Sequence, residues 1–540
     1  MKSKNQMKQM SNEDYNRKLL EQINQRYRKA RTIADQWESI LEASYFYAVP
    51  FRNRFYEPKQ FEGDLKNSRV YDTTAVSSMN TFTSKMHNAM TPPQTQWGFL
   101  QVDNYSGLLS EEEETEAQLA LDEYMKQIFR YIHQSNFDVS INECYYDLGV
   151  GTAGLVVNSH TDEEPLMFTS MPIDRLAIEE SLDNKIGSWY RTWEDIRISE
   201  IQLRWPNAKL NNELIADMMA DPTATIDKVY EGCIRFPHLK PEYKYCVWYG
   251  DTILLNEDKV NNPGIVWRFK KVNSETWGRG PVMEALPSII SLNEMARVEL
   301  ASANLNTFRP YMAFSDGVFN PHTFRLEPFT IIPIQPVGTD GQVPLIPLGD
   351  SSNPQFGEMK ITDLRMQVKS LLFDENVNES ESVQPQTATE LVIKQQKLAN
   401  QIGPNFSRLQ QEFLAPLIKT VANILEKRGL LERPKLNGNY IVFKYKSPLE
   451  AAQGQQEIAV FTQYVQLMQG IIGPEFTNMY INPAKMPYLI AEKLQIDPQL
   501  LNKPEMVAQV MQGFQQQMMQ ANIQAQQQGE EVTPQQMLGA

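Results

Sequence analysis

The first third of the chain predicts helices, because its hydrophobic residues recur at spacings of three and four. The pattern covers residues 11–56, 73–90 and 110–131. Asp72 suits an N-cap before the second helix, and the glutamates after Ser110 suit the positive end of the third. We therefore expect the chain to begin with a group of helices.

In the second third of the chain the hydrophobic runs are short and lie between Gly, Pro and Asp residues, which indicates strands. Residues 193–218 interrupt this pattern and predict two short helices. A β meander of four strands is expected next. The predicted strands of this region cover residues 155–157, 167–168, 173–178, 229–236, 243–249, 252–256 and 265–269.

Two further helices flank a segment that is rich in Pro and Gly. The first begins at Pro281 and reaches residue 308, and the second covers residues 359–373. The segment between them, residues 310–350, predicts a small β subdomain or a functional loop. Residues 374–386 are polar with few apolar anchors, so we expect a mobile loop there.

A capping box at Thr387-Ala-Thr-Glu390 opens the longest predicted helix, which reaches Lys427. Gly403-Pro404 and Pro416 should bend or break this helix. A strand and two more helices are predicted before a tail rich in Gln and Met, which we expect to be helical when bundled and disordered when alone. These last elements cover residues 440–445, 450–471 and 484–495.

The composition is that of a folded protein with a negative charge. The 540 residues are 41% hydrophobic and 22% charged, which excludes a wholly disordered chain. Lys and Arg number 51 against 66 Asp and Glu, so the formal net charge is −15. Because wrapping DNA requires clustered basic residues, any contact with nucleic acid should be local or weak.

Three cysteines are too few for a disulfide framework and fit a reducing compartment. The first ten residues are polar and lack the apolar core of a signal peptide. No run approaches the length of a membrane span, so no membrane association is expected.

The stretch Gly149-Val-Gly-Thr-Ala-Gly154 has the letters of a dinucleotide-binding fingerprint. That fingerprint needs a strand before it and a helix after it, so that the pyrophosphate meets a helix N-terminus. Here residues 141–148 predict a helix and residues 155–157 a strand, which favours a glycine-rich turn. An oxidoreductase or other nucleotide-binding enzyme built on this turn stays a hypothesis, which equilibrium dialysis with dinucleotides would test.

No catalytic motif occurs: the sequence has no Gly-Lys-Ser/Thr of a P-loop and no G-x-S-x-G elbow. Cys233, His238 and Cys246 lie close in sequence but lack a fourth ligand, so a structural role is favoured over a zinc site. Trp267-Arg268-Phe269-Lys270-Lys271 has residue types that stack on bases, but a strand with one covered and one wet face is favoured. We predict no catalytic residue, no metal and no cofactor.

The order of these features resembles the portal proteins, or head-to-tail connectors, of T7-like short-tailed bacteriophages. A chain whose helices are longer than its domains generally needs other chains to cover the exposed helix faces, and a closed ring of subunits covers them. The likeness runs over nearly the whole chain. Its carriers are Met90-Thr-Pro-Pro93 with Trp97, Gly149–Val157, Trp277-Gly-Arg-Gly280 with Glu284 to Asn293, and Gln386-Thr-Ala-Thr-Glu390 with the helix through Leu417.

The resemblance implies an α+β, mainly helical portal fold, assembled as a ring that is typically a dodecamer at one capsid vertex. DNA passes through the central channel of such a ring during genome packaging and ejection. The implied parts are a wing (1–280 and 388–447), two stem helices (281–308 and 359–373), a clip (309–358), a channel loop (374–387), and a crown with a Gln-rich C-terminal helical barrel (448–540).

The resemblance also implies candidate functional residues. Four loop amides could make weak, sequence-blind phosphate contacts: Asn376, Asn378, Gln384 and Gln386. Four basic residues could form local positive rings in the channel, with solvation or intersubunit salt bridges as the alternative: Lys360, Arg365, Lys369 and Lys394. The clip docking region contains Phe314, Phe319, Phe324, Arg325 and Phe329.

The expected role is that of a virion protein without enzymatic activity, assembled in the host cytoplasm. Expected partners are further copies of the chain, the terminase large subunit, the tail adaptor and other tail proteins, the major capsid and scaffolding proteins, internal core proteins at the crown, and double-stranded DNA. Another virion structural protein, such as an internal core protein or a tail adaptor, is the alternative, although it gives no reason for the β insert at 310–350. A ring with a central hole would discriminate the two.

Overall fold

The computed structural model describes residues 12–52, 68–103, 111–159, 161–307, 311–313, 345–347, 354–374, 405, 407–434, 440–445, 458, 460–468, 470, 471, 486 and 490. The chain divides into two compact units, Met1–Val383 with Ile402–Tyr445, and Gln384–Gln401 with Lys446–Ala540. In the second unit, residues 460–468 are helical, in agreement with the helix predicted there. Within the described ranges, no helix is long and apolar enough to cross a membrane.

The helices of the first unit follow the predicted periodicity closely. They are α1 (Asn12–Ala48), α2 (Thr74–Met90), α3 (Glu111–Gln134), α4 (Phe137–Val150), α5 (Ile198–Arg204), α6 (Asn212–Ala220), α7 (Pro281–Thr307), α8 (Pro354–Leu371) and α9 (Ala415–Lys427). In α2, Met79, Phe82 and Met86 are buried at spacings of three and four, as the pattern requires. Helix α8 begins at Pro354 rather than at residue 359.

The strands of the first unit form small antiparallel sheets. They are β1 (Gly98–Asp103), β2 (Thr152–Ser159), β3 (Leu166–Ser170), β4 (Leu176–Glu180), β5 (Ile186–Arg197), β6 (Thr225–Arg235), β7 (Tyr243–Tyr249), β8 (Thr252–Lys259), β9 (Gly264–Arg268), β10 (Tyr311–Ala313), β11 (Leu345–Pro347) and β12 (Tyr440–Tyr445). A five-stranded sheet has the order β4-β5-β6-β7-β8, and a three-stranded sheet has the order β3-β2-β9. Strands β1 and β12 form one pair, and β10 and β11 form another. The result is a mixed fold of helices and sheets, as predicted.

The five-stranded sheet is covered on both faces. One face packs on α1, where Tyr190, Cys246 and Trp248 contact apolar residues such as Ile23. The opposite face is also buried, and it includes Tyr245. Cys233 pairs with Tyr245 and Cys246 pairs with Gly232, so the two cysteines point to opposite faces and cannot share a metal ion.

The predicted meander is wrong in its last strand. Residues 265–269 were expected beside residues 252–256, but β9 pairs with β2, with Trp267 opposite Ala153. Residues 193–197 were expected to be helical, but they extend β5 because Trp193 pairs with Val229. Strand β1 was not predicted at all. Its partner β12 lies more than 300 residues away in sequence, and a local pattern does not reveal such a pairing.

The long helix before Lys427 is confirmed only over its described end. Residues 407–409 are helical, Gln410–Leu414 form a π-helical segment, and α9 continues to Lys427. This π segment ends just before Pro416, where a bend or break was predicted. Gly429 has a φ of +71°, which fits the predicted glycine after the helix end. The capping box at 387–390 lies outside the described residues.

Candidate functional site

Two of the motifs that carry the resemblance pack directly against each other. The Gly280 amide donates to the Val150 carbonyl oxygen (2.9 Å), and the Gly278 amide donates to Oγ1 of Thr152 (2.9 Å). A Cβ atom at Gly280 would lie 2.2 Å from the carbonyl oxygen of Gly149, so only glycine permits this approach. Because α7 begins at the next residue, this glycine junction fixes where α7 starts.

The same junction contradicts the dinucleotide-binding hypothesis. Helix α4 ends at Val150 and β2 begins at Thr152, so the order is helix, turn and strand. The dinucleotide fingerprint requires the reverse order, with a helix N-terminus facing the pyrophosphate. In addition, the backbone of Gly278 covers the turn. The glycines therefore serve close packing.

Helix α7 is tied to the segment that precedes α2 by a buried asparagine. Oδ1 of Asn293 accepts hydrogen bonds from the amides of Tyr71 (2.7 Å) and Asp72 (3.4 Å). Its Nδ2 donates to the Arg69 carbonyl oxygen (3.2 Å). Because a buried amide side chain needs such partners, Asn293 fixes the position of α7 relative to this segment.

Helix α8 is tied to the same segment by an ion pair. Nε of Arg365 donates to Oδ2 of Asp72 (2.9 Å), and Nη2 of Arg365 lies 2.8 Å from the same oxygen. The Thr74 amide donates to the other carboxylate oxygen of Asp72, Oδ1. Burial alone would raise the pKa of Asp72, but the hydrogen bonds from Thr74 and Arg365 outweigh it and lower that pKa. Asp72 therefore joins α8 to the first turn of α2. The prediction that Asp72 is the N-cap is wrong by one residue, because Thr73 occupies that position.

The end of α8 is anchored where the predicted channel loop begins. The Ser78 hydroxyl donates to Oδ2 of the buried Asp374 (2.8 Å), and Nζ of Lys85 donates to the Phe373 carbonyl oxygen (2.6 Å). Phe373 has a φ of +59° and its ring lies 6.0 Å from that of Phe82. The chain therefore leaves α8 in a fixed direction against α2.

Three of the four candidate basic residues lie on α8. Arg365 and Lys369 are four residues apart and share one side of the helix, whereas Lys360 lies roughly 140° around from Arg365. Nζ of Lys360 is 3.9 Å from the Asp363 carboxylate, and both side chains are about half exposed. The structure therefore places Arg365 and Lys369 together and Lys360 apart from them.

The other candidate residues lie outside the described residues. They are the loop amides Asn376, Asn378, Gln384 and Gln386, the basic residue Lys394, and the clip residues Phe314, Phe319, Phe324, Arg325 and Phe329.

The prediction of one wet face for Trp267-Arg268-Phe269-Lys270-Lys271 is wrong. The Arg268 side chain is fully buried, with its Nη2 2.7 Å from Glu412 and its Nη1 3.1 Å from Glu180. The Trp267 ring stacks on Phe413 at a centroid distance of 4.3 Å. The π-helical segment Gln410–Leu414, which carries Glu412, covers this strand and removes it from any contact with bases.

Sequence reasoning missed the three polar anchors of this region. Asn293 lies among the apolar residues of α7, Asp374 follows the last turn of α8, and Glu412 precedes the aromatic Phe413. A polar residue inside an apolar helical face signals a buried hydrogen bond, so Asn293 could have been found. Asp374 and Glu412 have partners distant in sequence, which a local pattern does not reveal. In the described part of the chain, no group of His, Cys, Asp and Glu could hold a metal ion.

Known proteins match this chain over most of its length. The family model described as "Bacteriophage head to tail connecting protein" matches residues 20–501. The "Probable portal protein" of Bordetella phage BPP-1 is 23% identical over an alignment of 527 residues, and the match covers 89% of this chain and 89% of that one. Among solved structures, "Neck of empty GTA particle computed with C6 symmetry" matches with a TM-score of 0.39 and 13% identity, over 81% of this chain and 94% of that one. "Virion of native gene transfer agent (GTA) particle" matches with a TM-score of 0.39 and 12% identity, over 78% and 91%.

Proposed function

From the premise that this chain belongs to the family of bacteriophage head to tail connecting proteins, we propose that it is a portal protein whose copies form a ring at one capsid vertex. The observation that carries this proposal is the family match over residues 20–501, which leaves little of the chain outside it. The ring connects head and tail and conducts the genome. Its dodecameric state and its use by a short-tailed phage are part of the proposal.

The division into wing, stem and clip is supported by how the middle of the chain packs. Helices α7 and α8 pack against each other, as two stem helices should. Strand β10 pairs with β11, so residues 311–313, shortly after α7, lie beside residues 345–347, shortly before α8. We assign α7 and α8 to the stem and residues 309–358 to a clip that docks the terminase and later the tail adaptor. Residues 448–540 are assigned to the crown and C-terminal barrel.

The conduction of DNA is geometric in this proposal. Stem helices set the bore, and the loop at 374–387 contacts DNA loosely through Asn376, Asn378, Gln384 and Gln386. The anchored start of that loop at Asp374 supports a fixed position for its base. Arg365 and Lys369 on one side of α8, together with Lys394 and Lys360, supply local positive charge. With a net charge of −15 per chain, a ring should not grip the DNA that it conducts.

The proposed role needs no catalysis by this chain, since terminase supplies the chemical work of packaging. Major capsid, scaffolding and internal core proteins are the proposed partners on the capsid side, and tail proteins on the other. The proposed location is the virion, after assembly in the host cytoplasm.

Native mass spectrometry with electron microscopy of the same sample tests the ring. A closed ring of twelve chains of 62.1 kDa, about 745 kDa with an axial hole, is expected. A chain that stays small even with scaffolding and capsid proteins present would exclude a portal. A helical assembly without an axial hole would instead indicate another virion structural protein.

Deletion of residues 376–386 tests the channel loop separately. Rings should still assemble, because the anchors of α7, α8 and α2 remain, but packaging or retention of DNA should fail. A variant with Asn376, Asn378, Gln384 and Gln386 changed to alanine keeps the loop length and serves as the matched control for a purely steric effect. Particles filled normally with genome in the deletion variant would refute the loop assignment and leave the ring proposal intact.

A further inference from the structure

Helix α8 has a second apolar face, which its own chain leaves in solvent. Met359 is 53% exposed and Met366 is 57% exposed. Each methionine stands two residues before a buried residue, Ile361 and Val368 respectively, and two residues along a helix are roughly 200° apart. We call the side that carries Met359 and Met366 the outer face of α8, because it lies opposite to the side that α8 buries.

Helix α7 shows the same arrangement. Val298 is 53% exposed and stands two residues after the buried Ala296. Ser291 is exposed and stands two residues after the buried Ile289. By the same rotation, Ser291 and Val298 lie opposite to the buried side of α7, and we call their side the outer face of α7.

The end of α7 has more apolar surface than a lone helix pair can cover. Among the described residues of this helix, 297–304 include no buried residue, and Leu300 is 54% exposed. Helices in proteins owe most of their stability to packing of an apolar face, and clustered exposed apolar residues mark interaction sites. The outer faces of both helices therefore need a partner.

The two outer faces match each other in spacing and in charge. Met359 and Met366 are seven residues apart, and so are Ser291 and Val298, which is roughly 10.5 Å along each helix. Helix α7 has three glutamates and one arginine, a net charge of −2. Helix α8 has three basic and two acidic residues, a net charge of +1. Opposite charges favour contact of an α7 with an α8 over contact of two like helices.

The four residues also correspond in height. Strand β10 pairs with β11, so the end of α7 and the start of α8 lie at the same end of the helix pair. Val298 and Met359 are the members of each face nearer to this end, and Ser291 and Met366 lie two turns further away. Because the copies in a ring are related by rotation about its axis, positions at equal height face each other.

We propose that the outer face of α8 packs against the outer face of α7 in the neighbouring copy, with Met359 at Val298 and Met366 at Ser291. This inference rests on the proposed ring and names its subunit contact. Since α7 and α8 of one chain pack against each other, their outer faces point in opposite directions. The contact is therefore head to tail, which is the kind that closes into a ring.

This contact leaves a third side of α8 for the channel. Arg365 lies roughly 100° and Lys369 roughly 60° from Met366 around the helix, both on the same side of it. Lys360 lies roughly 100° from Met359 on the other side. The basic residues therefore flank the subunit contact, and the side with Arg365 and Lys369 lies between the neighbouring copy and the buried face of α8.

Cysteine pairs in the assembled full chain test the contact. One variant combines Val298→Cys with Met359→Cys, and a second combines Ser291→Cys with Met366→Cys. After treatment of the rings with a short bismaleimide, we expect a ladder of covalent oligomers on a denaturing gel, because the two outer faces of one copy point apart and react only with neighbours. The three native cysteines are buried and should contribute little background.

Val298→Cys with Lys360→Cys is the matched control. Lys360 is adjacent to Met359 and 48% exposed, but it points roughly 100° away from the outer face of α8. This pair should give only background linking. Each single-cysteine variant should also stay unlinked, because a head-to-tail contact does not bring two copies of the same residue together.

Met366→Asp tests the same contact by disrupting it. A carboxylate buried in an apolar contact should lower the fraction of chains in rings by about tenfold in native mass spectrometry. The thermal unfolding midpoint of the isolated chain should not change, because Met366 is exposed there. Gln367→Asp is the control, since it adds the same charge at the adjacent exposed position and should leave rings intact.

Four outcomes would overturn the proposal. Rings whose cysteine pairs link no better than the Lys360 control would exclude this contact and leave the ring itself intact. Linking of Met359→Cys alone would mean that like faces meet. Normal rings of Met366→Asp that no longer bind tail proteins or terminase would assign the face to that partner. An unmodified chain that forms no ring would exclude both the contact and the proposed function.

Discussion

Two basic stretches of this chain have similar residue types but opposite environments. In the strand that ends at Arg268, the guanidinium is 0% exposed and lies between Glu412 and Glu180. On α8, Lys360 is 48% and Arg365 is 50% exposed. Both stretches carry residue types that contact nucleic acid in other proteins, yet Arg268 is closed to a partner, whereas Lys360 and Arg365 are about half exposed.

The difference shows what decides the role of a basic residue. A charge can be buried only when its hydrogen-bonding groups find acceptors. Arg268 has a full set, because Nη1 also donates to the Thr276 carbonyl oxygen (3.1 Å) and Nη2 to that of Asn184 (2.8 Å). The residues of α8 leave much of their charge in water. Arg268 therefore stabilises the fold, whereas the side chain of Arg365 stays half exposed even though it pairs with Asp72.

The largest effect is expected from Glu412→Ala, which removes the principal partner of Arg268. An uncompensated buried arginine should lower the free energy of unfolding by about 3–5 kcal/mol. Urea denaturation followed by tryptophan fluorescence measures this, since Trp267 stacks on the adjacent Phe413.

Glu284→Ala is the control for this change. Glu284 pairs with Lys270 in the same stretch (2.5 Å), but both side chains are about half exposed. The expected loss is under about 1 kcal/mol. A double variant, Arg268→Met with Glu412→Met, should regain much of the loss of Glu412→Ala, because apolar groups of similar size replace both charges. Equal losses for Glu412→Ala and Glu284→Ala would contradict the buried pair.

A smaller effect is expected from Arg365→Met, which removes the partner of the buried Asp72. Half of the Arg365 side chain is in water, so the pair is worth less than the one at Arg268. We expect a loss of about 1 kcal/mol in the free energy of unfolding. No loss would mean that the Thr74 hydrogen bond alone satisfies Asp72.

The contribution of Arg365 should depend on pH. The folded pKa of Asp72 is lowered, so its ionised form stabilises the protein above its unfolded pKa of about 3.9. This stabilisation is lost as the pH falls through the lower folded pKa. The difference in the free energy of unfolding between the unmodified chain and Arg365→Met should therefore be constant near neutral pH and shrink below about pH 4. A difference that grows as the pH falls would have the opposite sign and would refute the pairing of Arg365 with Asp72.

The smallest effect is expected from Lys360→Ala. The distance of 3.9 Å to Asp363 and the exposure of both groups predict a change within about 0.5 kcal/mol. Urea denaturation should therefore not distinguish this variant from the unmodified chain. A loss comparable to that of Arg365→Met would show that Lys360 stabilises the fold as strongly as Arg365 does.

The sequence predicted the helices well because their signal is local. The periodicity of residues 73–90 and the Pro281 start of α7 correspond to observed helices, and Gly149–Gly154 forms the predicted helix-to-strand turn. The pairings of β1 and β9 and the burial of Arg268 were not predicted. Each depends on a partner far away in sequence, such as Glu412 for Arg268, and residue type alone does not distinguish a wet strand from a covered one.

The central claim is that the two basic stretches differ in position within a ring. Electron cryomicroscopy of the assembled particle, at a resolution that shows side chains, tests it most directly. The account predicts a closed ring with the Arg365 and Lys369 side of α8 towards the axial channel, and with Arg268 inside each subunit against Glu412. A ring in which this side of α8 faces outwards, or in which Arg268 lines the channel, would contradict it.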